Sequence, residues 1–298
     1  MNITLTGSLG HISKPLAATL LQEGHNVTVV SSKSERQKDI EALGAKAAIG
    51  VMEDAAFLAS AFAGADLVYC MVAGGNFFDP NFDLRKHCRS IAESYVQAIR
   101  QAGVNRVIHL SSIGAHTDKG NGILFFHHEV ENTLAALPAD VSVTTMRPVG
   151  FFYNLLGFIP GIKAQGVMVS NYGGDDVVPW VSPIDIAAAV AEEIANPFRG
   201  RKVRYVTSEE MSCKEVAGIL GSAIGKPDLQ WIVIPDEQLE KGMVAAGMNT
   251  SVASGLVEMN AAIHSGALFE DYYRNRPEMG KIKIADYAAE FASNFNKQ

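Results

Sequence analysis

Three cysteines, Cys70, Cys88 and Cys213, are too few and too widely spaced for a disulfide framework or a zinc site. The histidines (His11, His25, His87, His109, His116, His127, His128 and His264) form no cluster with cysteine or carboxylate at ligand spacing, so no metal is expected. Cations are outnumbered, 25 Lys and Arg against 32 Asp and Glu, which leaves a net charge of −7 on 298 residues. Nucleic acid is not expected as a partner, because phosphate binding needs clustered cations. Long apolar runs are missing as well. The most apolar stretch, 148–162, is short and interrupted by Gly and Pro, so no membrane span is expected. No basic segment and long apolar core of the signal-peptide kind opens the chain, and with reduced thiols the expectation is a cytoplasmic protein. Neither a Gly-x-Ser-x-Gly elbow nor a Walker loop is present, which sets aside serine-hydrolase and NTPase readings.

What remains is an ordinary globular balance, 48% hydrophobic and 19% charged. Short β-type runs at 3–6, 27–31, 47–50, 67–72, 107–111 and 141–146 alternate with helical patterns at 13–23, 34–43, 55–62, 84–101 and 127–137. The runs are apolar almost throughout, as suits strands buried on both faces of a parallel sheet. Gly24, Gly44, Gly64 and Gly103 each follow a helical pattern, where a left-handed cap is needed. This βαβ rhythm predicts an α/β, doubly wound parallel sheet. After Pro148 the rhythm breaks. Ser182-Pro183-Ile184-Asp185 opens a helix to Ala195, with Ser182 as cap and Asp185 closing a capping box, and 203–206 reads as a further strand. From Ser208 onward helices dominate. The expected division is a nucleotide-binding domain over 1–150 and 177–207, with a smaller, mostly helical C-terminal lobe over 151–176 and 208–298.

The run Thr6-Gly7-Ser8-Leu9-Gly10-His11-Ile12 lies where the first strand turns into the first helix. There a dinucleotide's pyrophosphate would meet backbone N–H groups at a helix N-terminus, and glycine allows close approach. A NAD-type Rossmann site carries an acidic residue at the end of the second strand to hold the ribose hydroxyls. This chain has Ser31-Ser32-Lys33 there, with Arg36 close by, so Ser32, Lys33 and Arg36 are expected to favour NADP(H) over NAD(H). Ala73, Gly74 and Gly75, after the fourth strand, are small enough to let adenine and ribose lie close.

Together these segments resemble the NmrA-like proteins, atypical short-chain dehydrogenases. The likeness rests on the Thr-Gly-x-x-Gly opening, on strand 107–112, on Met146-Arg147-Pro148 followed by Phe151-Phe152-Tyr153-Asn154, on 183–187 with Asp185, and on a closing helix at 284–291. One departure is Ser13, where the family usually has glycine. The resemblance implies a Rossmann domain, a C-terminal substrate lobe and a cleft between them. It also implies two kinds of function. Some relatives are reductases, NADPH-dependent quinone reductases among them; others bind dinucleotide as redox sensors that regulate a protein partner. Self-association is compatible with either.

The chemistry must be sought without the superfamily's usual Tyr-x-x-x-Lys proton relay, since no lysine has tyrosine four residues before it. Candidates for catalysis are Ser111 and Ser112 at the end of the fifth strand, Ser111 also facing the cofactor, and His128, with His127 beside it, on the following helix. Adjacent helical residues point in different directions, so at most one histidine should face the cleft. Phe151, Phe152, Tyr153 and Trp180 are expected to flank the substrate cleft, where flat rings suit a planar acceptor. Arg147 and Asn154 have no single reading. The expected function is hydride transfer from NADPH to a quinone or similar planar small molecule, which asks little proton chemistry of the protein. The alternative is a non-catalytic NADP(H) sensor. A double-bond reductase of the isoflavone-reductase kind comes third, because only Lys119 lies near the place where it needs a lysine.

Overall fold

In the computed structural model, which describes residues 1–197 and 199–297, the strands are β1 (Asn2–Leu5), β2 (Asn26–Ser31), β3 (Lys46–Ile49), β4 (Leu67–Met71), β5 (Arg106–Leu110), β6 (Ser142–Pro148), β7 (Gly150–Phe151), β8 (Met168–Ser170), β9 (Val177–Val181), β10 (Arg201–Val206), β11 (Glu209–Ser212) and β12 (Trp231–Val233). The α-helices are α1 (Ser13–Gln22), α2 (Gln37–Ala42), α3 (Ala55–Phe62), α4 (Leu84–Ala102), α5 (Phe125–Ala135), α6 (Ile159–Gln165), α7 (Pro183–Ala195), α8 (Cys213–Ala223), α9 (Asp236–Ala245), α10 (Thr250–His264), α11 (Glu270–Arg274) and α12 (Ile284–Lys297).

Seven strands form one sheet in the order β10-β6-β5-β4-β1-β2-β3, every pair parallel. Alternation within the apolar runs divides the core. Leu67 and Tyr69 of β4 face a cluster with Leu16 and Leu20 of α1 and Val190 of α7; Val68 and Cys70 face one with Phe62, Ile91 and Val130. Each strand thus buries both faces, which is why its sequence shows no polar side. The chain winds outward from β1 in one direction and resumes at β4 in the other. That reversal opens a crevice beyond the carboxyl ends of β1 and β4, the place where such sheets bind ligands.

Helix ends follow local chemistry. Asp83 caps α4 by accepting the Lys86 N–H at 2.9 Å, and Gly103 ends it at φ +69°. The expected helix over 34–43 is a 3₁₀ turn (Ser34–Arg36) running into α2. Asp185 corrects the capping-box reading of α7. Ser182 does cap, accepting the Ile184 N–H at 3.2 Å, but the Asp185 carboxylate reaches elsewhere. It accepts the Ser208 hydroxyl at 2.5 Å and the N–H groups of Lys281 (3.1 Å) and Ile282 (3.0 Å). Three donors offset the cost of holding a carboxylate that is only 8% exposed, and they fasten the segment before α12 to α7.

The elements within 177–207 are divided between two sheets. Of these, α7 packs on α1 and β10 extends the main sheet, whereas β9 pairs with β7 and, antiparallel, with β11 in a separate three-stranded sheet. The turn at Gly173 and Gly174, both at positive φ, sends the chain into that second sheet. The lobe also holds the pair β8 and β12 with helices α8 to α12. Among the described residues no helix is long and apolar enough to cross a membrane.

Candidate functional site

Two adjoining cavities occupy the crevice. The first, about 560 Å³, is lined by Gly7, Ser8, Ser31, Ser32, Ala73, Gly74 and Gly75, with Glu53 and His87 across from them. The second, about 440 Å³, lies between the sheet and the C-terminal lobe. Met71 and Gly74 belong to both walls.

The glycine loop is shaped for a phosphate. Gly7 has φ +92°, and a Cβ there would come within 2.9 Å of the Ser13 hydroxyl and 3.0 Å of Met71. Ser8 takes φ +56°, and its N–H is held by the Val30 carbonyl at 3.0 Å. Among the described residues the amides of Leu9, His11 and Ile12 have no hydrogen-bond partner, which leaves donors free just before α1. A Cβ on Gly50 or Gly75 would be driven into the rings of Phe57 or Phe82, which pack directly against these two glycines of the wall. These features fit a dinucleotide, with its pyrophosphate on the loop and its adenosine in the first cavity.

Thr6 does not belong with the ligand contacts. It is fully buried, and its hydroxyl accepts the Met71 N–H at 3.0 Å and donates to the Tyr69 carbonyl at 3.2 Å, joining β1 to β4. Ser13, in place of the usual glycine, donates to the Thr6 carbonyl at 3.0 Å and packs under Gly7 without filling the loop. His11 is exposed and stacks on Tyr153, ring centroids 4.5 Å apart. At the end of β2, Ser32 lines the first cavity. Lys33 is exposed outside that wall, and Arg36 is paired with Asp39 at 3.3 Å. Ser31, buried, bonds the Ser8 hydroxyl at 2.9 Å and so ties the glycine loop to β2.

The second cavity brings together Ile12, Ser111, Ser112, Phe151, Tyr153, Asn154 and Trp180 in its lining. Phe152 is a correction. It opens a 3₁₀ helix (Phe152–Phe158) directly after β7, and its ring is fully buried against Tyr287, with centroids 5.6 Å apart. His128 is a second correction. Its Nδ1 lies 2.9 Å from the Ala115 carbonyl, a structural bond, while His127 faces the cavity. Burial and neighbouring His109 lower the His127 pKa to about 3, so its ring is neutral and no acid at ordinary pH. Its Nδ1 is sealed without a partner.

Behind the wall, Ser111 donates its hydroxyl to Glu131 at 2.5 Å. Arg147 grips the same carboxylate through Nε (3.0 Å) and Nη2 (2.7 Å), and its Nη1 reaches Asp271 at 3.4 Å. Burial alone would lower the Arg147 pKa, but Glu131 drives it upward, so the guanidinium stays charged. Glu131 was legible one turn after His127, on the same face of α5. The lobe's contributions, Tyr172, Met259, Ile263, Leu268 and Phe269, carry no such signal, and neither does Phe77. All three cysteines are buried, burial pushes the Cys88 thiol up to about 12, and no group of residues among those described could hold a metal ion.

A seven-stranded parallel sheet with a glycine loop at its switch point defines a Rossmann protein of the NAD(P)-binding kind. Residues 1–283 match the NmrA-like family, and the chain belongs to it. Among curated proteins it is similar to an NAD(P)H azoreductase of Xenophilus azovorans, 24% identical over 260 residues covering 87% of this chain and 86% of that one. It is 27% identical over 226 residues, 76% of this chain and 74% of the other, to a (4-alkanoyl-5-oxo-2,5-dihydrofuran-3-yl)methyl phosphate reductase of Streptomyces griseus. In fold it is similar to an NADPH-dependent quinone oxidoreductase of Escherichia coli complexed with NADPH, with a TM-score of 0.78 and 18% identity over 97% of this chain and 99% of that one.

Proposed function

We propose that this protein is an NADPH-dependent reductase that passes hydride to a quinone or a similar planar acceptor. The observation that carries this reading is the pairing of the two cavities: a glycine-floored one for the adenosine half of a dinucleotide, and an aromatic one beyond Met71 and Gly74. When bound, the dinucleotide supplies the hydride. The chain's own residues bind, orient and exclude water. Phe151, Tyr153 and Trp180 offer flat faces to the acceptor. Ser111, its proton directed at Glu131, presents lone pairs to whatever N–H or O–H lies beside it. No tyrosine–lysine relay is required, because a reduced quinone oxygen is a stable anion that water can protonate.

The names of the curated relatives, reductases of an azo compound and of an unsaturated ring, agree with a conjugated acceptor. Lys119, on which the double-bond reductase reading depends, is exposed and lies outside the cavity wall, which leaves that reading without its lysine.

NADPH is the proposed donor over NADH, because β2 ends at Ser31 and is followed by Ser32 and Lys33, with no carboxylate among them. The test is a titration with NADPH and NADH followed by a quinone panel. Tighter binding of NADPH, its loss on Lys33→Ala with Arg36→Ala, and NADPH oxidation by a neutral quinone are expected. A protein that binds NADPH yet oxidises it with no quinone is not a reductase of this kind.

A further inference from the structure

The second cavity has a charge property that its shape alone does not convey. Among the residues that line it there is no Asp, Glu, Lys or Arg. Its polar side chains are all neutral: Ser111, Ser112, His127, Tyr153, Asn154, Tyr172 and the indole of Trp180. Of these, Ser111 has already given its proton to Glu131 and faces the cavity only as an acceptor. The nearest ionised cluster sits behind that wall, where Arg147 stands between Glu131 and Asp271, two negative charges against one positive. The amide groups where α5 begins do not compensate, because those of Leu124 and Phe125 are bonded to the carbonyls of Asn121 (3.1 Å) and Gly122.

We propose that this cavity admits uncharged planar acceptors and turns away their anionic counterparts. The proposal rests on the reductase reading and narrows its substrate class. A sulfonate or carboxylate carried into this space loses its hydration and meets no cationic side chain in the wall, only rings, apolar side chains and neutral polar groups, with a net negative cluster one residue behind Ser111. Burying a charge without a partner is among the costliest events in a protein interior. A neutral quinone loses little on the same transfer and gains the aromatic contacts.

The experiment uses the full-length protein without added dinucleotide, since an oxidised nicotinamide would itself bring a cation to the cavity, and two ligands of the same ring system, 1,4-naphthoquinone and 1,4-naphthoquinone-2-sulfonate. Binding is read by quenching of Trp180, which lines the cavity, and the difference from a Trp180→Phe variant removes the contribution of Trp231. The neutral quinone is expected to bind roughly 100-fold more tightly, as an unpaired buried charge implies. Equal binding, tighter binding of the sulfonate, or no binding of either ligand overturns the proposal. In a second arm Ile263→Lys, which sets a cation on a partly buried position of the same wall, should raise sulfonate affinity at least about 10-fold, the scale of one charge-assisted bond, and leave the neutral ligand little changed. Turnover with NADPH separates the two readings. Neutral-selective binding without NADPH oxidation removes the reductase and leaves the selectivity standing. Oxidation with both quinones at similar kcat/KM does the reverse.

Discussion

Ser111 and Glu131 are joined by a 2.5 Å hydrogen bond through the wall of the aromatic cavity, so a residue that faces the ligand is oriented by one that does not. Removing the hydroxyl and removing the carboxylate should therefore separate. Ser111→Ala deletes one hydrogen bond, worth about 1 kcal/mol, and is expected to leave Tm within a few degrees while lowering kcat/KM roughly tenfold. Glu131→Gln breaks a charge pair with Arg147, whose side chain is only 10% exposed, at a cost of about 3–5 kcal/mol. Thermal unfolding and steady-state kinetics on both variants check this. Equal Tm losses would mean that Ser111 belongs to the structural network alone.

Gly7 is squeezed from two sides. Gly7→Ala places a Cβ at φ +92°, against the Ser13 hydroxyl and Met71. The backbone strain alone is about 1–2 kcal/mol, and NADPH binding is expected to weaken by at least about tenfold. Adding Ser13→Gly relieves the contact with the hydroxyl but not the dihedral strain, so calorimetric affinity should recover only in part.

Asn249 holds the loop that carries Phe77. Its N–H donates to the Phe77 carbonyl at 2.9 Å, its amide reaches the carbonyls of Asp79 (3.0 Å) and Pro80 (3.1 Å), and its Oδ1 caps α10 by accepting the Ser251 N–H at 3.0 Å. Asn249→Ala loses cap and amide together, about 2–3 kcal/mol. Asn249→Asp keeps the cap and loses the amide donor. Both variants should raise KM for the acceptor, and only the alanine should show the larger fall in Tm.

Two buried imidazoles should make the fold sensitive to acid. Burial lowers the pKa of His109 to about 4 and of His127 to about 3, against an ordinary 6.5 in the unfolded chain. Between pH 6.5 and those values the unfolded chain binds protons that the folded one refuses, so stability falls as pH falls. Each group contributes up to about 1.4 kcal/mol per pH unit in that window and nothing above it. Denaturant midpoints measured from pH 7.5 to 4.5 should drop for the native protein and drop less for His127→Phe.

The sheet and its glycine loop were legible because their signals are local: apolar runs, and glycines where the chain must turn back. Side-chain direction was legible in part. Phe151 and Tyr153 line the cavity while Phe152 is buried away from it, because the chain passes from β7 into a 3₁₀ helix over Phe152–Phe158 that no strong local pattern announces. The choice between His127 and His128 depends on the phase of α5. It starts at Phe125, two residues before the expected 127, and each residue turns a side chain by about 100°. Asp185 misled because its spacing from Ser182 imitates a cap, while its true partners lie at 208 and 281–282. The lobe residues Met259, Ile263, Leu268 and Phe269 reach the site from far along the chain, and no local pattern marks them.

Met71 and Gly74 stand in both cavities, so a molecule resting in one of them supplies part of the surface that the other offers. A hydride donor in the one and an acceptor in the other would lie side by side across the partition these two residues form. Direct transfer between them within a ternary complex is expected to give intersecting rather than parallel lines when initial rates are varied in both ligands.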